Sequence, residues 1–155
     1  MASAGRTAWS RAAFVAIVVV ALDQLTKALI RQSLAFGSTR RVVAGITLVH
    51  TTNSGVAFSL LSGSAVTVTV LALIVLAILI AYFARHKATP LLWLATGMIA
   101  GGAVGNLIDR LRAGAVTDFI KFPDWPAFNV ADSAITLGVV ALVLLIGRGG
   151  AASST

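Results

Sequence analysis

The chain has 155 residues, 58% of them hydrophobic and only 11% charged, with a formal net charge of +7. A mean hydropathy of +0.96 is too high for a soluble domain of this length and points to an integral membrane protein. The basic residues cluster at the ends of apolar runs, where phospholipid head groups meet them, so the charge does not argue for nucleic acid. With no cysteine, a disulfide framework, thiol catalysis and cysteine metal ligands are excluded. His50 and His86 fall in different connections, so no zinc site, and no other cofactor, is expected.

Four apolar runs, at residues 12–30, 66–83, 91–108 and 130–146, each approach the ~20 residues a helix needs to cross the hydrocarbon core. The first follows Arg6 and Arg11 but has no small-x-small cleavage site after Leu22 and is interrupted by Asp23, which marks a retained helix rather than a signal peptide. In Asp23-Gln24-Leu25-Thr26-Lys27 the i, i+4 spacing puts carboxylate and ammonium on one helix face. This reads as a structural ion pair, with substrate orientation as the alternative. The longest connection, 32–65, holds the β-branched run 41–50, expected as a small strand pair or ribbon on the outer face. Its apolar stretch 55–61 is too short to span and reads either as a lid over a site or as packing.

The second run is uncharged, and the turn after it carries Arg85, His86 and Lys87. The third has Gly97, Gly101 and Gly105 at four-residue spacing, a device for close helix approach. At its end Asn106 and Asp109 share a face, and Arg110 adds a fork of donors, which reads as helix-end anchoring or as part of a site. The tail after Gly147 is small and polar and is expected to be disordered. Four spans put both termini on one side. The basic turn at 85–87, with Arg6, Arg11 and Arg148, favours a cytoplasmic side there by the positive-inside rule. The opposite side is nearly as basic, with Arg31, Arg40, Arg41, Arg110, Arg112 and Lys121, and the short tight turn, where the rule is most reliable, decides the expectation. The expectation is one membrane-embedded domain over 1–155, an all-α protein of four transmembrane helices with a small extracytoplasmic β-ribbon between the first two.

The five acidic residues are all Asp, and four of them, Asp23, Asp109, Asp118 and Asp132, lie inside or at the ends of apolar segments. An ionisable group at mid-membrane costs roughly 2.5–3.5 kcal/mol on insertion scales, so such residues are read as functional. Asp118 sits in a short extended segment after Ala115-Val116-Thr117, and Asp132 near the start of the last span, three residues after Asn129. Alone, Asp132 is an ordinary first-turn Asp. Face to face with Asp118 it would share a proton, giving one acid and one base that could activate water against an amide carbonyl. The spacing leaves their distance open.

Five short motifs, in order, resemble the bacterial lipoprotein signal peptidases (signal peptidase II) over nearly the whole chain. They are Asp23-Gln24-Leu25-Thr26-Lys27, Asn53-Ser54-Gly55-Val56-Ala57-Phe58, Gly105-Asn106-Leu107-Ile108-Asp109-Arg110, Val116-Thr117-Asp118-Phe119 and Phe128-Asn129-Val130-Ala131-Asp132-Ser133. Val56 and Thr117 stand where the family more often has Ala and Val, and the loop at 119–127 is shorter than in many relatives. The resemblance implies an aspartyl endopeptidase that cleaves diacylglyceryl-modified prolipoproteins before the lipidated cysteine, at the outer face of the cytoplasmic (inner) membrane. It implies Asp118 and Asp132 as the catalytic dyad. Asp23, Lys27, Asn53, Gly55, Asn106, Asp109, Arg110 and Asn129 are then the residues that bind and position substrate. The expected partners are the prolipoproteins and membrane lipids, with the enzyme a monomer.

Two other classes stay open at this point. A small ion-coupled transporter would also place Asp23 and Lys27 in a span, although it leaves the gathering of the other acids at one surface unexplained. A structural assembly factor would tolerate Asp118→Asn and Asp132→Asn. Other intramembrane proteases fit poorly, because neither the rhomboid-type Gly-x-Ser-Gly nor the presenilin-type Gly-x-Gly-Asp occurs.

Overall fold

A computed structural model describes residues 2–54 and 65–151. Among them the order is α1 (Ala2–Ser33), β1 (Thr39–Val43), β2 (Ile46–Asn53), α2 (Ala65–His86), α3 (Leu92–Ala113), β3 (Val116–Lys121) and α4 (Val130–Ala151). All four helices are long and apolar enough to cross a membrane, one for each run in the sequence. Phe14, Ile17, Leu71, Ile78, Leu137 and Val140 project outward from α1, α2 and α4 and form an apolar perimeter suited to lipid.

The helices outrun the apolar segments that predict them. The 32 residues of α1 reach about 48 Å at 1.5 Å per residue, because no proline or interior glycine beyond Gly5 interrupts them. Helix α3 continues past the apolar run, so Asp109 and Arg110 lie within it rather than where it ends. It stops at Gly114, whose φ of 74° and N–H bond to the Arg110 carbonyl make a left-handed cap that suits glycine.

Helix α3 is the spine, packed against α1, α2 and α4. The glycine spacing works as the sequence predicts: a Cβ at Gly97 or Gly101 would stand 2.7 Å from the Ala12 or Ala16 carbonyl oxygen of α1. Gly102, on the adjoining face, does the same for α4, where a Cβ would come within 2.5 Å of the Ala131 carbonyl oxygen.

The ribbon expected after the first span is β1 paired with β2, and a third strand joins it from beyond α3. The sheet order is β1-β2-β3, antiparallel throughout. Strand β3 is the extended segment that carries Asp118, which pairs with Thr51 of β2. The chain then turns back through 122–127, and Phe128 exchanges backbone hydrogen bonds with Ile120 at 2.8 and 2.9 Å. Carried two residues further, that antiparallel pairing sets Asp118 beside the first residue of α4. The sheet, the C-termini of α1 and α3 and the N-terminus of α4 thus converge at one end of the bundle.

Candidate active site

Asn129 is the pivot. It is fully buried and precedes the first turn of α4, where its Oδ1 accepts the Asp132 N–H at 2.9 Å and its own N–H donates to Asp132 Oδ2 at 3.2 Å. This reciprocal pair is a capping box with aspartate in place of the usual Glu or Gln. The reading of Asp132 as a first-turn Asp is therefore true of one carboxylate oxygen. The other, Oδ1, accepts from Asn106 Nδ2 at 2.8 Å. Across the pivot, Asn129 Nδ2 donates to Asp118 Oδ1 at 2.7 Å. One amide thus touches both candidate catalytic residues.

Asp118 is only 2% exposed. Burial, reinforced by the nearby charge of Asp132, pushes its carboxyl from the usual 3.8 up to about 6. Hydrogen bonds from Asn129 and Asn53 and the charge of Lys27 act in the opposite sense without cancelling it. Asp132 is half-buried and opens onto a cavity of about 460 Å³ lined by Trp125, Pro126, Phe128, Thr136 and Leu137.

Beneath the pair lies a second charged group. Lys27 has no exposed surface and reaches Asp23 Oδ2 at 2.8 Å, Asp109 Oδ2 at 3.1 Å and Asn106 Oδ1 at 3.0 Å. The two carboxylates also hold backbone: Asp23 Oδ1 accepts the Ala131 N–H at 3.0 Å and Asp109 Oδ2 the Thr117 N–H at 3.0 Å. Gly105 faces Asp23 across a gap too small for a Cβ, which would sit 2.7 Å from Oδ2.

A family model for signal peptidase (SPase) II matches residues 15–147. The chain belongs to the signal peptidase II family. It is therefore a peptidase, and the aspartic type fits the family. The "Lipoprotein signal peptidase" of Syntrophomonas wolfei subsp. wolfei is 44% identical over 131 residues, covering 84% of this chain and 88% of that one. That of Halothermothrix orenii is 35% identical over 133 residues, covering 85% and 92%. A bacterial membrane enzyme structure determined by the in meso method at 1.9 Å resolution superposes with a TM-score of 0.77 at 32% identity, covering 87% of this chain and 91% of that one.

Of the residues singled out in this signal peptidase II sequence, the structure gathers Asp23, Lys27, Asn53, Asn106, Asp109, Asp118, Asn129 and Asp132 into one network. Gly55 and the segment 55–61 lie outside the described residues. Arg110 stands apart: among the described residues its buried Nε meets no hydrogen-bond partner, and it lines a cavity of about 310 Å³ with Asn106, Leu71, Val75, Ile99 and Ile135. Gln24 received no role from the sequence, yet its amide donates to Asp23 Oδ2, the Gly105 carbonyl and Asp109 Oδ1 at 3.1–3.2 Å. Its place between Asp23 and Lys27 in the first motif was the available signal. Arg31 likewise ties α1 to β3 through Thr117 Oγ1 at 3.1 Å. Among the described residues no group of three or more His, Cys, Asp or Glu is arranged to hold a metal ion.

Proposed function

We propose that this signal peptidase II removes the signal peptide from diacylglyceryl-modified prolipoproteins, cleaving before the lipidated cysteine with Asp118 and Asp132 as an aspartyl dyad and water as nucleophile. The observation that carries the reading is the Asn129 clamp, which holds two carboxylates of unlike environment at one centre. Asp118, buried and with raised proton affinity, holds the dyad's proton. Asp132, both of whose oxygens accept N–H groups, is the base.

In the reaction Asp132 takes a proton from water as its oxygen attacks the scissile carbonyl, while Asp118 donates to the carbonyl oxygen. Collapse of the tetrahedral intermediate breaks the C–N bond. The proton on Asp132 passes to the leaving amine, and the alcohol proton of the intermediate returns to Asp118. One water is consumed and the dyad is restored without a metal or a covalent intermediate.

The surroundings suit a substrate with two greasy arms, a signal helix and a diacylglyceryl group. Apolar cavities flank the polar centre, one against Asp132 and one against Asn106 and Arg110. The basic turn at 85–87, at the opposite end from the sheet, favours cytoplasmic termini and an active site at the outer face of the inner membrane. The enzyme acts as a monomer on its lipid-embedded substrates and needs no cofactor.

The test is cleavage of a diacylglyceryl-modified prolipoprotein by purified protein in detergent. Wild type should cleave, and Asp118→Asn and Asp132→Asn, matched for folding, should each lose at least about a thousandfold in rate, the loss expected when one member of a catalytic unit is removed. Full activity in either variant would refute the dyad. Uptake of ions into vesicles without any cleavage would revive the transporter reading.

A further inference from the structure

Lys27 has three N–H donors, and all three are matched by oxygens at 2.8–3.1 Å. It has no exposed surface, so it offers nothing to a substrate. What its three acceptors have in common is their other partner. Asp109 also holds the N–H of Thr117, the residue before Asp118. Asp23 also holds the N–H of Ala131, the residue before Asp132. Asn106 also holds Asp132 itself, through Nδ2. Each donor of the ammonium therefore ends, one bond further on, at an element that bears one of the two dyad carboxylates.

We propose that Lys27 is a positioning residue, a buried hub that sets the orientation and separation of Asp118 and Asp132 through Asp109, Asp23 and Asn106. The proposal rests on the dyad reading above. Its sharpest arm is Asn106. An amide can present either its oxygen or its nitrogen, and donation from Lys27 and Asn129 to Oδ1 turns Nδ2 toward Asp132. Without the ammonium, the amide loses a donor that holds it in that sense. The opposite sense would set an oxygen against the Asp132 carboxylate. Lys27 also acts on the dyad at a distance, since its positive charge eases ionisation of Asp118.

The experiment compares wild type with Lys27→Met, which keeps the length and apolar stem of the side chain, in the prolipoprotein cleavage assay. Steady-state parameters are measured at several pH values, on protein whose folding is checked by thermal unfolding. Positioning predicts a fall in kcat of about a hundredfold, the scale expected for ångström-sized misplacement of catalytic groups, with KM changed by less than about threefold. It also predicts that the alkaline limb of the pH profile moves upward, because the charge that eases ionisation of Asp118 is gone.

Because Lys27→Met leaves Asp23 and Asp109 facing each other, Lys27→Met with Asp109→Asn is made alongside. It has one buried carboxylate and so the same net charge as the wild-type cluster. It should fold and still show the kcat loss. A raised KM with kcat retained would overturn the proposal in favour of substrate contact. Wild-type kcat and pH limb in the folded fraction, or failure of both variants to fold, would overturn it in favour of a purely structural ion pair. Asp118→Asn and Asp132→Asn are assayed in the same series. If they are active, the dyad reading itself fails; if they are inactive while folded Lys27→Met is unimpaired, only the hub fails.

Discussion

Asp118 and Asp132 are chemically the same residue, made unlike by where the chain puts them. One lies in a strand buried on both sides, the other in the first turn of a helix with a cavity beside it. The carboxyl of Asp118, raised to about 6, binds its proton more tightly in the folded than in the unfolded protein. It therefore favours the fold at low pH, and that contribution is lost as pH rises from about 4 through about 6. The loss amounts to about 3 kcal/mol, since each pH unit of difference is worth 1.36 kcal/mol. Unfolding midpoints in detergent should fall across that window for wild type and stay flatter for Asp118→Asn. In the proposed mechanism the same proton is the one the reaction needs. Accordingly kcat/KM should decline above about pH 6 by about tenfold per unit, and the break belongs to the coupled pair rather than to one residue. A profile flat from pH 5 to 8 would contradict the assignment of the proton.

At the scale of elements, the site is built where backbone ends need partners. The N-terminus of α4 takes Asn129, Asp132 and Asp23 as its caps, and β3 is tied to α3 through Asp109. Gly105 is the close contact that permits this. A methyl there would press on a carboxylate already held from two sides, so Gly105→Ala should destabilise by about 1–3 kcal/mol, as overpacking does, and depress cleavage with it. Gly147→Ala, whose Cβ would meet nothing within 4 Å, is the matched control and should leave thermal unfolding and cleavage unchanged. The four spans were legible in the sequence because an apolar run of membrane length has few alternative readings. Asp118, Asp132 and Asn129 were legible because polar residues in such surroundings are costly. The joining of the extended segment around Asp118 to the sheet and the donors of Gln24 were not, since pairing between β2 and β3 joins residues more than sixty positions apart, and an amide between two charged residues carries no periodic signal. Nor could spacing foresee that Arg110 lines a largely apolar cavity: it lies one residue beyond Asp109, and a single step around a helix changes its neighbours.

For the whole molecule, α3 is the exception among the spans. Among the described residues it is the least apolar of the four and the only one mostly covered by protein. Its glycines, Asn106 and Asp109 serve close packing and the site rather than lipid. Measured alone in a membrane-insertion assay, α3 should enter the bilayer less efficiently than α2, and a chain running from α1 through α3 should restore its insertion; equal insertion of isolated α2 and α3 would count against this. The packing of α4 on α3 has a further consequence, in time rather than in space. Of the four described spans α4 is synthesised after the other three, and with it come Asn129, Asp132 and the backbone N–H that anchors Asp23. If Asp118 and Asp132 act as the proposed dyad, the nascent chain holds one acid without its mate until that span is threaded home, and no cleavage is expected before then.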